Sequence, residues 1–149
     1  MAELRPGYEE VFTVIDYFDG PLKGVANFRR QPHFYDRVFD ESQDEYSNLY
    51  QLTPISRHVF DLAKEDWVIW KRWESSFHAG KTTLKSHPAL PQDRVRHKDI
   101  RAVLDSALKT DKETCIIQAG LFEALASQTL PNGVRRPLQV RWTDPKLDR

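Results

Sequence analysis

The alternation of apolar and polar positions divides the chain into a β-rich first half, a helical middle and a short β tail. Residues Val11 to Phe18 are rich in β-branched and aromatic side chains, which suit a pleated surface, and Asp19-Gly20-Pro21 then punctuates the run. Gly24 to Phe28 is a second short run, closed by the polar turn Arg29-Arg30-Gln31. From His33 to Phe39 two sets alternate, Phe34, Asp36 and Val38 against His33, Tyr35, Arg37 and Phe39, with the aromatic set expected to face the core. Pro32 suits a first strand position, where no ladder donor is required. The spacing therefore predicts a hairpin of 24–28 with 32–39. Asp40 to Glu45 reads as a mobile polar connector, and Leu49 to Leu52 as a fourth strand.

A long helix should follow. Thr53 is a good N-cap and Pro54 fits the first helical position. Apolar residues recur at Ile55, Val59, Leu62, Ala63, Ile69, Trp70, Trp73 and Phe77, in steps of three and four that return to one face. Asp66 interrupts this stripe, and Trp67 and Val68 widen it. Gly80 stands where a left-handed C-terminal residue belongs. About 25 residues at 1.5 Å rise give a rod of roughly 37 Å, expected to lie across the sheet.

After a linker over 81–90, Pro91 opens a second helix whose face is Ile100, Val103, Leu104, Ala107 and Leu108. Lys109 to Glu113 is a charged break. Cys115 to Leu125 fits either a strand or a helical turn and is read as strand. Pro131-Asn132-Gly133 signals a tight turn, and Leu138 to Trp142 alternates as a final strand. The architecture expected is one α+β domain over 1–149. Its antiparallel sheet, a four-strand N-terminal meander plus a C-terminal hairpin, packs on the long central helix and the shorter second one.

Composition narrows the function classes. Hydrophobic residues make up 40% and aromatic residues 11%, enough large side chains to offset chain entropy and argue against disorder. The 22 basic and 22 acidic residues cancel, so no general attraction to nucleic acid or to an anionic membrane is expected. The same neutrality leaves little repulsion against self-association. A single cysteine, Cys115, excludes an internal disulfide, and its neighbours Ile116 and Ile117 suggest a buried small hydrophobe. The N-terminal residues lack a signal-peptide stretch and no 18-residue apolar run occurs, so a cytoplasmic protein is expected.

Candidate chemistry is sparse. Glu74 and His78 share a helical face, but the spacing of His78, His87 and His97 matches no ligand pattern, so neither metal nor cofactor is expected. Asp16 and Asp19 flank the first turn, with Asp36 on a neighbouring strand; together with His33 and His78 they are the candidates for acid–base work. There is no Gly-x-Ser-x-Gly elbow and no phosphate-cradling glycine loop. Arg94, Arg96, His97, Lys98 and Arg101, with Arg29-Arg30 and Arg135-Arg136, offer either a solvated face or a phosphate surface. Trp67, Trp70 and Trp73 advance by about 300° each, so they fan out and require cover on more than one side. Any left exposed, with Arg72 and Lys71 beside it, would mark a partner surface.

Several stretches also carry a resemblance: Asp16-Tyr17-Phe18-Asp19-Gly20-Pro21 leading to Gly24-Val25-Ala26, Pro32-His33-Phe34-Tyr35, Glu65-Asp66-Trp67 through Trp73-Glu74, His87-Pro88-Ala89-Leu90-Pro91, and Leu138 to Trp142. Together they resemble a group of small uncharacterised bacterial proteins to which no activity is attached, so the resemblance implies a bacterial single-domain protein and transfers no functional residue. The expectation is a non-enzymatic protein-interaction module that binds another protein or its own copy through Trp67, Trp70, Trp73 and Arg72. The alternative is a small hydrolase-like or metal-assisted enzyme. A concave pocket gathering polar side chains would favour the second, and a flat aromatic patch the first.

Overall fold

In the structure, a computed structural model, residues 3–125 and 137–145 are described. Six antiparallel strands form a closed barrel in chain order: β1 (Glu9–Tyr17), β2 (Pro21–Phe28), β3 (Gln31–Asp40), β4 (Glu45–Pro54), β5 (Ile116–Ala124) and β6 (Leu138–Thr143). Between β4 and β5 the chain leaves the barrel to form α1 (Arg57–His78) and α2 (Arg94–Ala107). The expected open sheet packed on a long central helix is therefore wrong. Glu9 and Glu10 pair with Val140 and Gln139, joining the first strand to the last, while β4 pairs with β5 across the helical insertion. The sheet encloses its own core instead of needing a helix to cover it, and closure removes both exposed edges.

That core is aromatic. Tyr35, Tyr50, Phe122 and Trp142 point inward, and every pair among them lies in ring contact, with centroids 5.3–6.4 Å apart. Ala26, Phe28, Leu52 and Val140 complete the cluster. Each polar tip reaches a main-chain carbonyl: Tyr35 donates to Thr13 O at 2.9 Å, Tyr50 to Pro21 O at 2.8 Å, and Trp142 Nε1 to Asn27 O at 2.8 Å. All three acceptors belong to β1 or β2, so side chains from β3, β4 and β6 hold the first hairpin. Small residues make room for them. A Cβ on Gly24 would stand 2.2 Å from Thr13 O and 2.4 Å from the Tyr35 hydroxyl, and one on Gly120 would meet Trp142 and Tyr50.

Local chemistry sets the turns. Arg29 and Arg30 both adopt positive φ (51° and 64°) between the paired Phe28 and Gln31, so this hairpin closes on two residues and not three. Both amides donate to the Glu9 carboxylate, at 3.0 and 2.8 Å, which holds a conformation that arginine does not favour by itself. The stretch over 40–45, expected as a mobile connector, is an organised hairpin turn. The Asp40 carboxylate accepts from Ser42 N, Ser42 Oγ and Gln43 N, and the Ser42 hydroxyl draws its carboxyl below the ordinary carboxylate range.

The first helix starts later than expected. Thr53 and Pro54 stay in β4, opposite Phe34 and His33, and Ser56 is the N-cap, its Oγ accepting from Val59 N at 3.2 Å. Strand pairing wins because it satisfies main-chain groups on a barrel strand, whereas Ser56 supplies an equivalent cap two residues past Pro54. Gly80 does take the left-handed position after the helix, with φ 73°. Pro91 opens a single 3₁₀ turn that feeds α2. Leu62, Ile69, Ala89, Ile100 and Leu104 form a second core between the two helices. The ambiguous segment over 115–125 holds β5, with Cys115 half-buried just before it. The turn signal at Pro131-Asn132-Gly133 and the pair Arg135-Arg136 lie outside the described residues.

Tyr50 makes the barrel core testable by pH. Burial pushes its phenol up to about 12, from the ordinary value near 10. The folded state holds that proton more tightly than the unfolded chain does, so stability is intact below pH 10 and lost as pH rises through 12. Urea denaturation should show about 2 kcal/mol of loss across that window attributable to this group. Tyr50→Phe should remove that slope while costing about 1 kcal/mol at neutral pH for the lost bond to Pro21.

Candidate functional site

The barrel and the helix pair have separate cores, and the seam between them is incompletely filled. Along it runs an open groove with a cavity of about 480 Å³. Its floor on the barrel side is β1 from Thr13 to Tyr17. This strand carries register shifts between Val11 and Thr13 and again between Val14 and Asp16. The first is bridged by the Thr13 hydroxyl, which accepts from Val25 N at 2.9 Å in place of a ladder carbonyl. Such irregularities re-aim side chains. Phe12 turns out against Phe60 of α1, with centroids 4.7 Å apart, while Asp16 and Tyr17 line the mouth.

The helical wall is Ala63, Asp66, Trp67 and Trp70 of α1, joined by His97, Arg101 and Leu104 of α2. His87 and Pro88 of the connecting segment close one end. Trp67 and Trp70 are half-buried and stack on each other, with centroids 5.0 Å apart and planes 27° apart. Trp73 is turned elsewhere. It is buried, its indole N–H donates to Ser86 Oγ at 2.8 Å, and Phe77 stacks on it while His87 meets it edge-on. The segment after α1 thus supplies the second covered side that the three-residue spacing requires.

Opposite charges on the two helices hold the wall together. Arg96 forks onto Glu65 at 2.6 and 2.7 Å, and Arg72 forks onto Asp93 at 2.9 Å through both nitrogens. These contacts hold the Glu65 carboxyl below its usual range and raise the Arg72 and Arg96 guanidinium groups further. Asp66 sits deeper, with Oδ1 2.7 Å from His97 Nδ1 and Oδ2 accepting from Arg101 at 3.3 Å. Arg101 also bonds Asp105. Among the described residues no buried side-chain nitrogen or oxygen lacks a partner, so His97 Nε2, which has none, is open to solvent. Much of the basic stretch on α2 is thereby committed to acids, leaving Arg94 and Lys98 on its exposed side.

The residues singled out from the sequence divide sharply. Asp16, Trp67 and Trp70 meet in the groove. Asp19 lies in the β1–β2 turn, its carbonyl accepting from Arg37 Nη1 at 3.1 Å. His33 is buried near the β2–β3 turn, against Phe28 and 2.8 Å from Gln31 O through Nδ1. His78 is exposed at the end of α1, and Glu74, its expected neighbour in charge, bonds Lys71 at 2.9 Å instead. Arg72 is exposed and held by Asp93. Asp66 is the groove residue missed as a candidate, while His97 and Arg101 entered only within the basic stretch read as a solvated face or a phosphate surface. Their signal was the acidic pair Glu65-Asp66 on one helix facing Arg96-His97 on the next. Among the described residues, no three His, Cys, Asp or Glu side chains group as a metal site would require. No described helix is long and apolar enough to cross a membrane.

A second aromatic group joins the β1–β2 turn to β3 and β4. Phe18 (67% exposed) and Phe39 each contact Tyr46, at 6.4 and 5.1 Å, with Arg37 over Tyr46. No family model, curated protein or solved structure matches this chain.

Asp66 is the hinge of the wall. Asp66→Asn should cost about 1–3 kcal/mol in urea denaturation, since it weakens charge-assisted bonds to both His97 and Arg101. The exposed Asp61→Asn on the same helix should change stability by no more than about 0.5 kcal/mol.

Proposed function

We propose that the chain is a non-enzymatic binding module whose recognition site is the groove between the barrel and the helices. The observation that carries this reading is the stacked Trp67–Trp70 pair, half-buried in the wall of a concave cavity and not spread on a flat face. Broad aromatic surfaces left wet are costly, and stacked indoles beside an open cavity are the common means of holding a flat apolar group. A cavity of about 480 Å³ suits a small molecule, or one side chain of a partner, better than an extended protein face. Val14, Pro88 and Leu104 supply apolar contact, and Asp16, Asp66, His97 and Arg101 supply the few polar groups that orient a ligand.

The Asp66–His97 pair favours a second reading, general-base catalysis by the open His97 Nε2 on a bound water. That reading depends on water alone, because among the described residues the one hydroxyl in the lining apart from Tyr17 is Thr13, which is buried and already accepts from Val25 N. Arg101 and Asp66 also tie the pair into the interface between helices, a structural role that accounts for its geometry. The binding reading needs no further group.

Titration of the full chain with indole, followed by ¹H–¹⁵N spectra, tests the binding reading. The indole N–H signals of Trp67 and Trp70 should shift in a saturable manner, while that of Trp73, bonded to Ser86, stays put. Trp70→Ala should weaken indole binding by about 10-fold or more, an aromatic contact being worth about 1 kcal/mol beyond its area. Equal shifts at all tryptophans, or unchanged affinity in Trp70→Ala, would count against the groove.

A further inference from the structure

We propose that the ligand of this groove is an organic cation, a small molecule whose flat apolar body lies against Trp67 and Trp70 and whose ammonium group meets the carboxylate of Asp16. The inference rests on the binding reading above and adds the charge of the ligand. Three formal charges line the cavity, those of Asp16, Asp66 and Arg101. Two of them are spent inside the protein. Asp66 uses one oxygen on His97 and the other on Arg101, and Arg101 is shared further with Asp105. A guanidinium held between two carboxylates has little left to offer an anionic ligand.

Asp16 differs. Its one hydrogen bond is from the Tyr17 amide to Oδ1, and it makes no ion pair among the described residues, although Lys23 is its cross-strand partner in register. Oδ2 is left as an open acceptor of this exposed carboxylate. A cationic group placed there meets an unspent carboxylate, whereas an anionic one meets the same charge as repulsion.

The aromatic wall points the same way. Indole faces carry negative electrostatic potential and attract ammonium groups within about 6 Å. The protein already uses these two rings so: Lys71 Nζ lies 5.9 Å from the centroid of Trp67 and 5.8 Å from that of Trp70. Lys71 is neutralised by Glu74, which is buried, so its charge does not dominate the groove. The adjoining hollow, of about 430 Å³, adds Lys23 and Lys109 but also Asp36 and Asp105, and shares Asp16 and Arg101 with the main cavity. The balance across the lining stays on the acidic side at Asp16.

Three probes of similar size and different charge test this on the full chain: 2-phenylethylammonium, 2-phenylethanol and phenylacetate, each titrated while the Trp67 and Trp70 indole signals are followed. The ammonium should bind about 10-fold more tightly than phenylacetate, with the alcohol between them, and its advantage should shrink with added salt. Asp16→Asn should bring the ammonium to the affinity of the alcohol, and Asp16→Glu should restore the preference. If the alcohol binds as well as the ammonium in the native chain, the cation inference fails and the groove reading survives. Tightest binding of phenylacetate would overturn the inference and transfer the polar role to Arg101 and His97. If none of the three shifts the two indoles, the groove reading itself falls.

Discussion

Four aromatic rings packed inside the barrel set both its filling and its register. Tyr35, Tyr50, Phe122 and Trp142 come one each from β3, β4, β5 and β6, and each touches the other three. They fill a six-stranded barrel whose strands would otherwise enclose a void. Their polar tips end on carbonyls of the first hairpin, so filling the core and fixing the register of β1 and β2 are one event. A buried hydroxyl or indole N–H left unpaired would cost about 1–3 kcal/mol, which makes register slips at this hairpin expensive.

A barrel that fills itself changes what the helices are for. They are not needed to cover a sheet, so they build their own core from Leu62, Ile69, Ala89, Ile100 and Leu104 and lock it with ion pairs from α1 to α2 and to the turn before it. Two finished cores then meet along β1, a strand whose irregular register prevents a flush fit. A groove remains between them, with the stacked Trp67–Trp70 pair on its wall. The tryptophans divide accordingly: Trp142 and Trp73 are bonded inside the two cores, whereas Trp67 and Trp70 stand half-buried at the seam.

Most elements were legible in the sequence, because strand alternation and helical periodicity are local. Closure was not. Alternating inward and outward positions look the same in an open sheet with one covered face and in a barrel, and the decision rests on the pairing of Glu9 and Glu10 with residues at the far end of the chain. The helix start was misplaced because Thr53-Pro54 and Ser56 offer equivalent caps, and only the pairing of β4 with β3 chooses between them. In the groove, Asp16, Trp67 and Trp70 were recognisable by type. Asp66 read as an interruption in an apolar stripe, and His97 and Arg101 as a solvated face, because a charge buried by its partner on another helix resembles an exposed one until the helices are placed together.

The groove is walled by both layers of the molecule, β1 on one side and α1 with α2 on the other. Intermolecular nuclear Overhauser effects from an aromatic probe bound to the labelled full chain test it most directly. Simultaneous contacts from one probe to the methyl groups of Val14 on the barrel and to the Trp70 ring on the helix are the predicted result. Contacts confined to Phe18 and Tyr46, or to a single layer, would contradict it.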